Sequence, residues 1–203
     1  MKVLSDESIR ECFDFLTQYY LVKDEVKISV AMAINEMEWK KLYTWICISR
    51  ETLQEWCEDE KKRRKLSSLG MIKEADVFEY YESHMPKRTK IDPLEEWRDT
   101  SGYFCESSAI KIYLAIDEKN REILEKPFRE VLRDSKWFIF LRDTKDRFIN
   151  LVNLFHEMLH IIEREGHHHI FRGSSKEAEI KDTREIVFRL VKQFLRSHKS
   201  SLA

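Results

Sequence analysis

The residues with the plainest chemical content are His156, Glu157 and His160, which stand in the run His156-Glu157-Met158-Leu159-His160. In an α-helix, positions i and i+4 lie about 40° apart around the axis and about 6 Å apart along it. Two imidazoles so placed can converge on one metal ion, and Glu157 beside the first can reach a water held by that metal. The segment that carries them, FINLVNLFHEMLHII, is apolar nearly all the way round, the mark of a helix buried on several sides. Two histidines and a glutamate are costly to bury there without partners, and a metal would satisfy all three. The plainer alternative is a pair of core histidines satisfied by hydrogen bonds.

A catalytic zinc takes three protein ligands and keeps one position for water. Candidates for the third ligand are His167, His168, His169, Glu163, Glu165, Glu177, Glu179, Asp182 and Glu185. The histidine helix is expected to stop at Gly166, since glycine is favoured just past a helix C-terminus. Ser174-Ser175-Lys176-Glu177 fits a capping box, which starts the next helix near 175 and occupies Glu177 at its own N-terminus. On an antiparallel return, the residues level with His160 fall at about 179–182. Glu179 fits as the third ligand, and Asp182 on the same face could accept a hydrogen bond from a ligating group. His167 is the alternative, although an unbroken helix sets it about 10 Å further along the axis than His160.

These side chains need a scaffold, and the rest of the chain reads as a mixture of helices and strands. Residues 5–21 pattern as an amphipathic helix, with Ile9, Cys12, Phe13, Leu16, Tyr19 and Tyr20 at helical spacing. Residues 26–34 read as a strand, 36–49 fit helix or strand, and 51–66 form a charged helix. A helix over 73–83 leads into a loop with Pro86 and Pro93, the best boundary between an N-terminal, mostly helical region at 1–100 and a core at 105–203. Within that core, strands are predicted at 110–116 and 137–141, with helices at 118–133, about 144–165 and about 175–197.

Composition narrows the partners. The 36 Lys and Arg nearly cancel the 37 Asp and Glu, for a net charge of −1, which argues against a whole surface built for nucleic acid or an anionic membrane. Twelve Phe, seven Tyr and five Trp supply ample core. No apolar run approaches the ~18–20 residues of a membrane span, and the N-terminus lacks a signal-peptide core, so a soluble, cytoplasmic protein is expected. Cys12, Cys47, Cys57 and Cys105 lie far apart without metal-type spacing and are expected to stay free. The basic run Lys61-Lys62-Arg63-Arg64-Lys65 directly follows Glu58-Asp59-Glu60 and reads as a solvated helix end.

The HExxH motif with Glu179 after 18 intervening residues resembles the zincin metallopeptidases of the gluzincin type, whose third ligand is a Glu on the following helix. The order of elements is similar to the ImmA/IrrE-type zincins, although their Ala-Asn after the glutamate is absent. The resemblance implies an α+β, zincin-like fold. A small mixed sheet would carry a buried HExxH helix followed by an antiparallel C-terminal helix, with the strand at 137–141 on the sheet edge to pair with an extended substrate. It also implies one Zn2+ per chain, a peptide or protein substrate, and Glu157 as the group that takes a proton from water and returns it to the leaving amine. A second resemblance, to SprT-like and WLM proteases, rests on His167 and Phe171 after the HEMLH run. It implies His167 as third ligand, proteolysis of DNA-crosslinked proteins, and Lys61–Lys65 as the docking patch. A third option is a zincin-fold binding or regulatory module without catalysis, and no oligomeric state follows from the sequence.

Overall fold

The computed structural model describes residues 2–20, 22, 26–62, 64, 100–107, 110, 135–166, 169–171 and 176–198. The chain is a mixed α+β protein whose small sheet has strand order β1-β2-β4-β3. The strands are β1 (Lys2–Val3), β2 (Ile28–Ala33), β3 (Gly102–Glu106) and β4 (Trp137–Arg142). The helices are α1 (Asp6–Thr17), α2 (Glu36–Glu58), α3 (Arg147–Gly166), α4 (Lys176–Asp182) and α5 (Phe188–Ser197). A π turn, Thr183–Val187, joins α4 to α5.

Two compact units divide the chain. The first gathers Met1–Asn35, Ser101–Phe104 and Ser135–Ala203, and so draws on both ends of the sequence. Strands β2 and β4 run parallel, with Ile28 opposite Trp137 and Ala33 opposite Arg142, while β1 pairs antiparallel with β2. Parallel neighbours must be linked by a crossover, and their side chains read as continuous apolar runs when both faces are covered. Both strands fit that pattern, with Val30, Ala31, Phe138, Ile139 and Phe140 all without exposed surface. The expected place of 137–141 at the sheet edge is corrected here: β4 lies between β2 and β3, and among the described residues the outer strands are β1 and β3.

Helix α1 starts on Ser5, whose hydroxyl accepts from Ser8 N–H, and it ends at Thr17 rather than near 21. Tyr19 is therefore half exposed, with its hydroxyl donating to Gln193. Helices α1, α3 and α5 meet through Phe15, Phe155 and Phe194, whose ring centroids lie 5.3–6.1 Å apart. Edge-to-face and tilted aromatic clusters of this kind stabilise a core beyond their area alone. Asp146 caps α3 by accepting from Phe148 and Ile149 N–H. Just before it, Lys145 takes a left-handed φ of 63°. Asp143 compensates that unfavourable conformation by accepting from Lys145 N–H, from its ammonium and from the Asn150 amide. Those bonds hold the Asp143 carboxyl down at about 2.

The second unit comprises Glu36–Thr100 and Cys105–Asp134. In it, α2 resolves the ambiguous 36–49 stretch as helix and runs unbroken to Glu58; after Asp59, residues 60–62 and 64 are helical again, and the expected end at 66 lies outside the described residues. Trp39, Leu42, Tyr43, Trp45 and Ile46 are buried along it. Of the strand expected over 110–116 only Ile110 is described, and it is helical. The helices expected at 73–83 and 118–133, and the Ser174-Ser175 start of the capping box, lie outside the described residues. Among the described residues no helix is long and apolar enough to cross a membrane.

Candidate metal centre

Helix α3 is buried at every position from Val152 to Ile162 except Asn153, His156 and His160, which are partly open. With Ile149 before them and Glu163 after, these residues recur at 4-3-4-3 spacing and form a single stripe along the helix. The two histidines thus sit where a buried helix reaches its surroundings. Their Nε2 atoms lie 3.1 Å apart.

Each imidazole is held from its other nitrogen. His156 Nδ1 meets the Thr183 hydroxyl at 3.1 Å, and His160 Nδ1 faces the Glu163 carboxylate at 3.4 Å. A carboxylate at Nδ1 favours the proton there, which leaves the Nε2 lone pair of His160 free to act as an acceptor or ligand. The Thr183 hydroxyl can either accept from His156 Nδ1–H or donate to a bare Nδ1. In the first case two lone pairs face each other and call for a cation. In the second, His156 Nε2–H donates to His160 and the pair is self-satisfied. The 3.1 Å spacing fits both: it is an ordinary N–H···N hydrogen-bond length, and two nitrogens on a tetrahedral zinc, each about 2.05 Å from the metal, stand about 3.3 Å apart.

Aromatic rings frame the pair. The Phe171 ring lies 4.4 Å from the His160 ring and 5.0 Å from the His156 ring. Phe104, on β3, stacks on His160 at 5.3 Å with planes 12° apart. The Arg164 guanidinium lies over Phe104 and Trp137, adding a cation–π contact behind the stack. Glu163 ties this together, since its second carboxylate oxygen accepts from Ile170 N–H at 2.6 Å and Phe171 N–H at 2.8 Å. Its neighbour Glu165 accepts from Trp137 Nε1–H and the Lys136 ammonium, which fixes the end of α3 against the start of β4.

Glu157 is 8% exposed and its side chain runs against β3 at Gly102. A Cβ at Gly102 would stand 2.9 Å from Glu157 Cγ and Cδ, so glycine there leaves the space that the Glu157 side chain occupies, and any larger residue would force that side chain or the strand to shift. Asp182 is buried at the end of α4, and it is the adjacent Thr183 hydroxyl that meets His156 Nδ1. The backbone of Glu179 lies in α4, while its side chain, like His167 and His168, is outside the described residues. His169 is exposed. Among the described residues no three His, Cys, Asp or Glu side chains group to hold a metal, a set that does not include the Glu179 side chain.

Sequence reasoning missed Thr183 and gave Glu163 no role beyond a possible ligand. The signal for Glu163 was present, since i+3 on a helix lies on the same face as His160. Thr183 carried none, because its position depends on the π turn that begins with it, and a π turn leaves no mark in a polar-apolar pattern. No known protein family matches the chain, and no curated protein or solved structure matches it.

Proposed function

We propose that this protein is a zinc-dependent metallopeptidase of the zincin type, with His156 and His160 as ligands and Glu157 as the catalytic acid-base group. The observation that carries this reading is the pair of Nε2 atoms 3.1 Å apart, each ring gripped at Nδ1 by a separate partner. Such grips set the tautomer and ring orientation of metal-binding histidines. When bound, zinc supplies an acidified water and a polarised carbonyl.

The chain's own residues do the rest. Glu157, held in a low-water setting against Gly102, accepts a proton at its carboxylate and hands it to the departing amine. Phe104 and Phe171 pack against the His160 ring and restrict how it can turn. Glu163 and Thr183 hold the imidazoles in register.

Glu179 is the proposed third ligand. What supports it is that the Thr183 hydroxyl meets His156 Nδ1, and that Glu179 lies four residues before Thr183, about one helical turn, as His160 lies about one turn after His156. The helical run of α3 through Gly166 argues against His167, which would stand about 10 Å beyond His160 along that axis. Zinc content by elemental analysis, on untagged protein purified without chelator, tests the site. One zinc per chain, lost in Glu179→Ala and kept in His167→Ala, is expected; the reverse loss would move the reading to the SprT-like alternative. Glu157→Gln should keep zinc and abolish peptide cleavage. If zinc is bound but wild type and variant alike cleave nothing, the site belongs to a binding module.

A further inference from the structure

Strands β2 and β4 run parallel and end side by side, with Met32 opposite Leu141 in register. Beyond their carboxyl ends opens a cleft of about 510 Å³ that lies wholly within the first unit. In open α/β sheets, ligand crevices form at this place relative to parallel strands, and small-molecule sites measure roughly 300–1,000 Å³. The walls are aliphatic: Met32 and Ile34 from the end of β2, Leu141 from β4, Leu4 just past β1, and Leu151 and Leu154 from α3. Ile34 is left 43% exposed. The α3 residues in the lining, Asn150, Leu151 and Leu154 among them, lie roughly 120–180° around the axis from His156. The cleft and the histidine pair therefore use different faces of α3.

The charged part of the lining is Asp143, Lys145 and Arg147. Both oxygens of Asp143 are engaged: Oδ1 accepts from Lys145 N–H and the Asn150 amide, and Oδ2 accepts from the Lys145 ammonium. A cationic ligand thus finds no open carboxylate in the lining. Lys145 holds its left-handed φ of 63°, a conformation that a β-carbon disfavours, and its ammonium reaches the Ile34 carbonyl at 2.8 Å. Backbone outliers of this kind gather at ligand sites. An ammonium has three N–H donors, and the third of Lys145 has no partner among the described residues. With Arg147, the lining carries more positive than negative charge. We propose that this cleft binds a small aliphatic carboxylate of the medium-chain fatty-acid kind, its chain against the leucines and its carboxylate on Lys145. The proposal is independent of the metallopeptidase reading.

Sodium octanoate is the probe, titrated calorimetrically into the full-length protein in EDTA, so that no metal can take the carboxylate. One octanoate per chain is expected, with affinity rising up to about fourfold per CH₂ from butanoate until the cleft is filled. Octanol, which has the chain without the charge, should bind about two- to fivefold more weakly, the range for a solvent-exposed ion pair. Lys145→Gly suits the left-handed backbone and should fold, and it should bind octanoate no better than octanol. Lys145→Asn, which also tolerates that backbone, gives the same comparison if the glycine loosens the turn. Ile34→Ser, at an exposed position, should weaken both ligands alike. By NMR, octanoate should shift the methyl signal of Met32, which lines the cleft, and leave that of Met158, buried between the two histidines in the sequence. Absence of saturable binding would overturn the proposal, as would several octanoates per chain bound without regard to Ile34→Ser. Equal affinities for octanoate and octanol in the wild type would also overturn it, and so would a preference for octanoate that survives in both Lys145 variants.

Discussion

Replacing Gly102 with alanine probes how β3 seats Glu157. The added methyl would stand 2.9 Å from Glu157 Cγ and Cδ, and closer still to Oε1. Non-bonded carbons settle at about 3.5–4.0 Å, so strand or carboxylate must move by roughly 0.5–1 Å. Overpacking of this size costs about 1–3 kcal/mol, which for a chain of this length lowers Tm by roughly 2–12 °C. A displacement approaching 1 Å of a group that must meet a water also lowers kcat/KM, by up to about a hundredfold. Zinc content should hold at one per chain, because the methyl touches Glu157 and neither histidine.

Those numbers have many possible causes, and a double-mutant cycle isolates the one proposed. Glu157→Ala deletes all three atoms that the methyl would meet. In that background Gly102→Ala should cost less than about 0.5 kcal/mol by urea denaturation, against 1–3 kcal/mol in the wild type. The coupling is readable without any activity and survives failure of the peptidase reading. Equal costs in the two backgrounds would refute the reasoning, since the strain would then lie elsewhere on β3.

Other perturbations follow from the same contacts. Thr183→Val removes the hydroxyl from His156 Nδ1 and should weaken zinc binding about 10- to 100-fold by competition with a chromogenic chelator, with Thr183→Ser close to wild type. Burial, with a smaller contribution from Glu11, pushes the Cys12 thiol up from 9.0 to about 12. A group whose folded pKa is raised stabilises the fold fully below its unfolded pKa, so the urea midpoint should fall as pH rises from about 9 toward 12, and the slope should shrink in Cys12→Ala. Asp143 behaves oppositely: its carboxyl, lowered from 3.8 to about 2, stabilises above pH ~4, and that stability is lost as pH falls toward 2. Asp143→Asn should flatten the acid limb at a cost below about 1 kcal/mol, because the loop is solvent-screened.

Helices α1 and α3 were legible from their periodicity. The first part of α2 was not: Trp39, Leu42, Tyr43 and Ile46 repeat at helical spacing, but the WICI within them reads equally as strand, and only the continuous 23-residue helix decides it. Strands β2 and β4 were readable from β-branched and aromatic runs. Their neighbours were not. β1 is two residues long, and β3 is five residues beginning with glycine, both too short for a pattern to register. Because β3 went unseen, β4 was taken for an edge. Sheet order is a non-local property, and the two parallel strands that form its centre stand more than a hundred residues apart in the chain.

The site divides along the same line. A helix repeats at fixed angles, so His156, Glu157 and His160 announce their common face from spacing alone, and Asn153 and Glu163 fall on that stripe by the same arithmetic. What spacing cannot convey is which groups come to meet them. Thr183, Phe104, Phe171 and Gly102 arrive from three other segments, and each acts through a distance of a few ångströms rather than through its type. Threonine, phenylalanine and glycine are ordinary in any core or turn. They gain a role only because Glu163 pins the Ile170–Phe171 backbone beside His160, and because α4 turns into α5 at the level of His156. The chemistry of the stripe is therefore local and readable, down to the Glu163 carboxylate that faces His160 Nδ1, whereas Thr183, the partner of His156 Nδ1, arrives by a tertiary contact.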